Sequence, residues 1–537
     1  MKLCSASVGA TGVVLVLFVA CGSDGPSGHS ASAGKSAGQA ASGGSVAGGT
    51  DASGGSSESG SAGAAPRPGG AAGTRDERGG AAGESGCAGS AGELDDGTGG
   101  VRAAGGAAEP GASGEAGMES GGAGGEGNPD GRLFHVVVVR SSDIEPSAPG
   151  TIGIVTFSVD VPELRAAHIE FGLDQDYGMT APVDLDEPEL RTLLLGMKPS
   201  RTYHFRIIVE GPDRSHASDD YELFTGPATT AVAIGDFHVV DAGARRPGFL
   251  LASYWIGAGS AVPFILDADG EIVWWYAGPS PAGIARAQMS ADGKSVWLAA
   301  APNEGAPLQR ITMDALESES YPDAIASHDI TPVSGSTMAY IEYGEADCDS
   351  VYEIEPSGEQ HEVFESQGVA DDEEPALPCH GNALRYSAGE DLYTFSVWHD
   401  DIFAITREGS VAWRLTERLN RSQSDWGGAQ HGHQLLSDTV LVFANTGVEP
   451  SGSEVVEFWL EGGALRRFTS RGHTANFGDV QRLPGGNTLV TYSNDSLIQE
   501  VDPDDNVVLE IRGSGSSRFG YVSWRESLYG SPPEIRN

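Results

Sequence analysis

The 537-residue chain is poor in basic residues, in cysteine and in long apolar runs, and each scarcity narrows what the protein can be. It carries 32 Lys and Arg against 76 Asp and Glu, a formal net charge of −44. Charge of that sign argues against nucleic acid and anionic lipid surfaces as partners, while saying little about the fold. Beyond the first twenty residues no apolar run approaches the length of a membrane span, so no later segment is expected to cross a bilayer. Aromatic and β-branched residues are nearly missing from about 22 to 130, where Gly, Ser, Ala and Glu dominate. Such a stretch cannot bury enough apolar surface to offset the entropy of ordering it, so a disordered tether is expected there. Of the five cysteines only Cys348 and Cys379 fall in the part that reads as folded; Cys87 stands alone in the tether and receives no role.

The N-terminus explains why a tether is useful. Lys2 precedes an apolar stretch from Val8 to Ala20, too short and wrongly flanked for a spanning helix and typical of a signal peptide. It ends in Phe18-Val19-Ala20-Cys21, which resembles the lipobox of bacterial lipoproteins. That resemblance implies removal of residues 1–20, acylation of Cys21 and a membrane anchor on an exported protein, with 21–130 as lipidated cysteine and tether. Export in turn permits a disulfide between Cys348 and Cys379. Cys379 directly precedes His380, and such a bridge would anchor that histidine.

Composition changes near Phe134. The runs 134–139, 152–159, 166–172, 193–195, 203–209 and 221–225 read as strands separated by turn residues, a small β-sandwich over 131–228. The stretch from Leu195 to Arg206, with Lys198-Pro199-Ser200-Arg201-Thr202-Tyr203, resembles the fibronectin type III family, and Tyr203 matches its corner tyrosine. A spacing or packing role is implied, without chemistry.

From 229 to 537 the chain repeats. One hairpin type, such as Phe264 to Trp274 or Ile402 to Trp413, turns near 270, 315, 358, 409, 462 and 505. A second alternates with it and turns near 245, 293, 335, 389, 438 and 485. Two hairpins per period of about 50 residues give four strands, the pattern of a β-propeller. Six blades are expected; the degenerate copy at Leu308 to Leu316 makes seven the rival count. The fold class is therefore all-β, a six-bladed propeller preceded by a small sandwich after the tether.

Histidines fall in register with the second hairpin. His328 precedes the turn at Gly335, His380 the turn at Gly389, and His431 and His433 the turn at Asp438. In a propeller that position is the start of the innermost strand, at the mouth of the axial channel. Histidines in phase point to a site, since a lone one would more simply satisfy backbone carbonyls between blades. Spacing alone leaves a three-imidazole zinc site open, with Asp329 and Glu342 able only to support such ligands. His431 and His433 are two apart on a strand, so alternation sends both to the same side and does not choose between them.

The region from about 135 to 530 resembles the bacterial arylsulfate sulfotransferases. The blocks that carry the resemblance are His328-Asp329-Ile330, His380-Gly381-Asn382-Ala383-Leu384, and Gln430-His431 followed by Phe443-Ala444-Asn445-Thr446-Gly447. It implies a sulfuryl group moved from an aryl sulfate to a phenolic acceptor, with no cofactor, no metal and no nucleotide sulfate. It also implies His431 as the covalent nucleophile, His328 and His380 on the sulfate oxygens, and Asn382 and Asn445 among the substrate contacts. His433 is the candidate base for the acceptor. One departure stands out: in Ser396-Val397-Trp398-His399, Trp398 takes the place of the family's arginine. Either His399, if protonated, substitutes for that cation, or Trp398 only stacks on an aryl ring. The alternative is a propeller without catalysis that binds a small aromatic or anionic ligand. Nothing in the sequence reads on oligomeric state.

Overall fold

A computed structural model describes residues 128–532 apart from 256–260, 282, 302–305, 345–347, 367–379, 399–400, 421–428, 446–451, 463 and 470–471. The signal segment, Cys21, Cys87, Cys379 and His399 lie outside the described residues.

The sandwich begins where β-branched residues begin. Its strands are β1 (Phe134–Arg140), β2 (Gly153–Val159), β3 (Ala166–Gly172), β4 (Met179–Pro182), β5 (Thr192–Leu194), β6 (Thr202–Glu210), β7 (Ser215–Ala217) and β8 (Tyr221–Phe224). One sheet is ordered β1-β2-β5; the other runs β4-β3-β6, with β7 and β8 both pairing β6. Along β6 the apolar Tyr203, Phe205, Ile207 and Val209 point inward and the residues between them outward, the alternation of a sheet with one buried face. The short edge strands β4 and β7 add to the six that the sequence marks. The Tyr203 hydroxyl accepts the backbone N–H of Lys198 at 2.9 Å, closing a tyrosine corner five residues back.

Six antiparallel units of four strands follow, the last extended by a fifth strand. The first strands of blades 2 to 6 are Ile284–Met289, the second half of Ser318–Ser334, Gly381–Ser387, Gln430–Leu435 and Asp479–Arg482. Successive first strands pack on one another, so they line the axis. The strand Ser318–Ser334 serves twice: its start is the outer strand of blade 2 and its end the inner strand of blade 3. The weak repeat at 308–316 is thus a true blade hairpin, and the count among the described residues is six.

The outer hairpin turns show why an acidic residue precedes a small one there. The Asp267 carboxylate accepts the N–H groups of Asp269 and Glu271 at 2.9 and 2.8 Å, and Gly270 takes φ +82. Asp502 does the same for Asp504 and Asn506, with Asp505 at φ +67. Side chains that hydrogen-bond the backbone two residues on favour such turns over continued strand.

One expected hairpin is not there. Residues near 245 do not turn one strand back on the next: Ile234–Val239 is the outermost, fifth strand of blade 6, and Phe249–Trp255 belongs to blade 1. The inner strand of blade 1 comes from the far end of the chain, where Arg518–Phe519 and Ser523–Arg525 pair with Phe249–Trp255. Both ends of the propeller are thereby sewn into the ring, which gives every blade a neighbour on each face.

An inner strand that starts at the mouth ends at the opposite face, and antiparallel pairing returns the outer hairpin turns to that same face. The sandwich packs there, away from the histidines. Ile152 and Leu195 share a core with Leu251, Trp274 and Met313. Thr151 donates to the Val273 carbonyl at 2.7 Å, and the Tyr529 hydroxyl joins Leu193 and Leu195. Lys198 reaches Asp267, Asp269 and Glu271, and Arg191 pairs with Asp314.

Candidate active site

Each inner strand from blade 2 to blade 5 carries a β-bulge at its mouth end. Register shifts lie between Ile284 and Arg286, Ala326 and Ile330, Gly381 and Ala383, and Gln430 and His433. A bulge inserts an unpaired residue and re-aims its side chain. Here it frees His328 and His431 from the alternation of their strands. His328 has φ +56, a left-handed conformation that costs a non-glycine residue energy and is tolerated where the surroundings impose it.

Three of the histidines meet. The rings of His328 and His380 lie edge to face with centroids 4.6 Å apart, and His328 lies 6.5 Å from His431. Phe477, at φ +59, sets its ring against His328, His431, Trp255 and Tyr521. Trp398 stands across His380 at 6.2 Å, edge to face, and its backbone N–H donates to the His380 carbonyl at 2.8 Å. The predicted channel-mouth cluster of His328, His380, His431 and Trp398 is therefore assembled.

His433 is placed elsewhere, which corrects the expectation that it shares the channel face with His431. The bulge at 431–432 breaks the two-residue alternation. His433 then pairs with Val442, is fully buried, and its Nε2 meets the Thr394 hydroxyl of blade 4 at 2.8 Å. Burial, and after it Arg385, lowers its pKa to about 3. An imidazole so disposed is a poor base for an acceptor.

The two asparagines are also corrected, from substrate contacts to positioning groups. Asn445 is fully buried; its amide nitrogen donates to the carbonyls of Thr474 at 3.0 Å and Phe477 at 2.6 Å. Its oxygen is 2.5 Å from His431 Nδ1. An oxygen can only accept, so Nδ1 carries the proton and the lone pair of His431 is on Nε2. Asn382, buried between blades 4 and 5, donates to the Gln430 carbonyl at 2.6 Å, and Gln430 in turn donates to the Val397 carbonyl at 2.9 Å.

The other partners differ in kind. His328 Nδ1 is 2.8 Å from the Ser327 hydroxyl, and burial followed by the neighbouring His380 and His431 holds its pKa well below the usual histidine value. His380 Nδ1 lies 3.6 Å from the buried carboxylate of Asp349. Burial raises Glu342 to a pKa of about 6; it sits across from Ala326, near His328 along the strand.

Asp329 turns away from the histidines into a second cluster on the axis. Arg286 binds Asp329 at 2.7 Å and Asp479 at 2.6 Å; Arg385 binds Asp479 at 2.5 Å and also Asp329. Burial works against the Asp329 carboxylate, and the Arg286 and Arg385 guanidiniums overcome it and keep its pKa low. Arg286 also lies 4.7 Å over the Tyr521 ring. Two cations and two anions cancel. Gly432, between His431 and His433, is glycine because a Cβ there would meet the Asp479 carboxylate at 2.2 Å. Of these features only the His-Gly-His run leaves a trace in the sequence; Asp349, Phe477 and the Arg–Asp quartet carry no periodic mark. Among the described residues no group of three or more His, Cys, Asp or Glu is arranged to hold a metal ion.

No family model and no curated protein matches the chain. Solved structures share the architecture at low similarity. TolB from Acinetobacter baumannii is 12% identical, covering 62% of this chain and 80% of its own, at TM-score 0.37. Virginiamycin B lyase from Staphylococcus aureus is 13% identical over 54% of this chain and 98% of its own, at 0.35. A protein of unknown function from Bacteroides caccae is 15% identical over 52% and 98%, at 0.37. Likeness at this level carries nothing about activity.

Proposed function

We propose that the propeller transfers a sulfuryl group from an aryl sulfate to a phenol through a sulfohistidine at His431, as in the arylsulfate sulfotransferases it resembles. The observation that carries the reading is the Asn445–His431 contact, which fixes the tautomer with its lone pair on Nε2. That atom attacks sulfur; the N–S bond forms as the S–O bond to the aryl group breaks, and the pair of electrons leaves on phenolate. The proton stays on Nδ1, hydrogen-bonded to the Asn445 oxygen, so the sulfated ring is held in place. An acceptor phenol, giving its proton to solvent, attacks sulfur and restores neutral His431. Splitting one displacement into two lowers each barrier. His328 and His380 are the donors this reading assigns to the sulfuryl oxygens, where charge gathers, and fixed donors act without reorganisation. The aromatic side chains Phe477, Trp255 and Trp398 suit a flat donor.

A second reading has its own support. The Arg–Asp quartet is neutral and Trp398 is uncharged, so the mouth fits a site that binds an aromatic or anionic ligand without turning it over. We also propose export and anchorage through an acylated Cys21, a fibronectin type III-like sandwich, and a Cys348–Cys379 bridge. The disulfide-bonded state of Cys348 supports the last.

Rapid mixing with an aryl sulfate decides between the two readings. Transfer predicts a burst of phenol, turnover dependent on added phenol, and a one-sulfuryl mass increment on the peptide holding His431, kept by alkaline quenching. His431→Ala abolishes burst and increment, whereas His433→Ala keeps both. Ligand binding with no burst in the unaltered protein selects the binding reading.

A further inference from the structure

A sulfuryl group presents three oxygens that share negative charge, and the strongest partner for it is a cation with a fixed position. The two guanidiniums on the axis do not provide one, because Arg286 and Arg385 are each bound to Asp329 and Asp479. His431 must be neutral to act as a nucleophile. His328 is fully buried between two other imidazoles, surroundings that disfavour charge on it. His380 differs from both. It is the least buried of the three, and a carboxylate lies 3.6 Å from its Nδ1. That carboxylate, on the fully buried Asp349, accepts the N–H groups of Gly381 at 2.9 Å and Gly344 at 3.2 Å, which stabilise it as an anion.

We infer that His380 is the oxyanion-binding cation of this site and that Asp349 is the positioning residue that keeps it protonated, so that the mouth carries a titratable positive charge instead of a permanent one. The inference rests on the sulfuryl-transfer reading for its purpose and on the geometry of the pair for its substance. Asp349 lies on one side of His380 and His328 on the other, with His431 beyond His328. Trp398, across the ring, contributes no charge; its indole meets the imidazole edge to face, and its backbone N–H ties it to the His380 carbonyl. Three similar side chains thereby take three roles: lone-pair donor at 431, neutral N–H donor at 328, cation at 380.

The test uses inorganic sulfate as the probe and the full chain, with affinity measured by calorimetry from about pH 5.5 to 8.5, the span in which histidine charge changes. In the unaltered protein affinity falls about tenfold per pH unit once His380 loses its proton. In Asp349→Asn the fall begins about one pH unit lower or more, since an opposite charge within 4–6 Å is worth about 1–3 units. His380→Arg, which leaves Asp349 and its backbone bonds intact, binds sulfate with a flat profile. Superimposable profiles for the unaltered protein and Asp349→Asn overturn the inference, as does a sloping profile in His380→Arg or no sulfate binding by the unaltered protein. The outcomes separate from those of the transfer reading. The expected sulfate profile without a phenol burst leaves the pair standing and removes transfer; a burst with a flat sulfate profile does the reverse.

Discussion

Two polar clusters share the propeller axis, and they are built on opposite principles. In the lower one Arg286, Asp329, Arg385 and Asp479 bind one another, and their charges cancel. In the upper one each histidine has a different polar neighbour: Ser327 on His328, Asn445 on His431, Asp349 on His380. The quartet uses its hydrogen-bonding capacity on its own members and on Ser523, Ile330 and Leu384 beside them, which suits a keystone joining four blades. The histidine cluster keeps chemistry available, with a lone pair on Nε2 of His431. Adjacent residues in the chain serve both, since His328 faces the mouth and Asp329 the quartet. The bulge between Ala326 and Ile330 separates their directions.

The comparison breaks most sharply if the quartet proves dispensable. Asp479→Ala leaves Arg286 and Arg385 buried with half their partners, and loss of one member of a buried ion pair costs about 3–5 kcal/mol. Urea unfolding should show that loss; a change below about 1 kcal/mol would mean that water or another anion replaces the carboxylate.

Next in size is Asn445→Ala. It removes the group that fixes the His431 tautomer while leaving the quartet intact. The rate of sulfohistidine formation is expected to fall about 100-fold, the scale on which a misplaced reacting group slows a reaction, with stability reduced far less than in Asp479→Ala. Stopped-flow phenol release on an aryl sulfate measures it. An unchanged rate would return Asn445 to a purely structural part.

The smallest effect concerns His433, which lies with neither cluster. Its folded pKa, about 3, is below the value of 6.5 for a free imidazole, so the unfolded chain binds a proton first as pH falls. Its contribution is therefore complete above pH 6.5 and is lost between 6.5 and about 3. His433→Gln should flatten the decline of unfolding free energy across that window by up to about 1.4 kcal/mol per pH unit, one proton's worth. Denaturant titrations at several pH values show this as a change of slope. Parallel curves would mean that His433 takes up its proton without leaving its place on Thr394.

Much of this architecture is legible in the chain itself. Period, turn chemistry and alternation mark the outer hairpins, because Asp267 and Asp502 hydrogen-bond their own turns and need no distant partner. Register also places His328, His380 and His431 at the starts of inner strands, since a repeated unit puts equivalent residues in equivalent places. Closure of the ring was not legible near residue 245: the missing strand of blade 1 arrives from 518–525, a pairing set by the geometry of a closed circle. Nor was the direction of each side chain at the mouth. Alternation sends His431 and His433 to one side; a bulge made possible by Gly432, under the carboxylate of Asp479, sends them apart. The sequence by itself determined the repeat of alternating hairpins and the place of three histidines at the starts of inner strands, because those follow from local hydrogen bonding and repeat. Tertiary structure alone decided which imidazole meets an asparagine, which a carboxylate and which a buried hydroxyl: a bulge turns His431 to Asn445 of its own blade, and Asp349 and Thr394 reach His380 and His433 from the preceding blade, so they meet only when neighbouring blades pack.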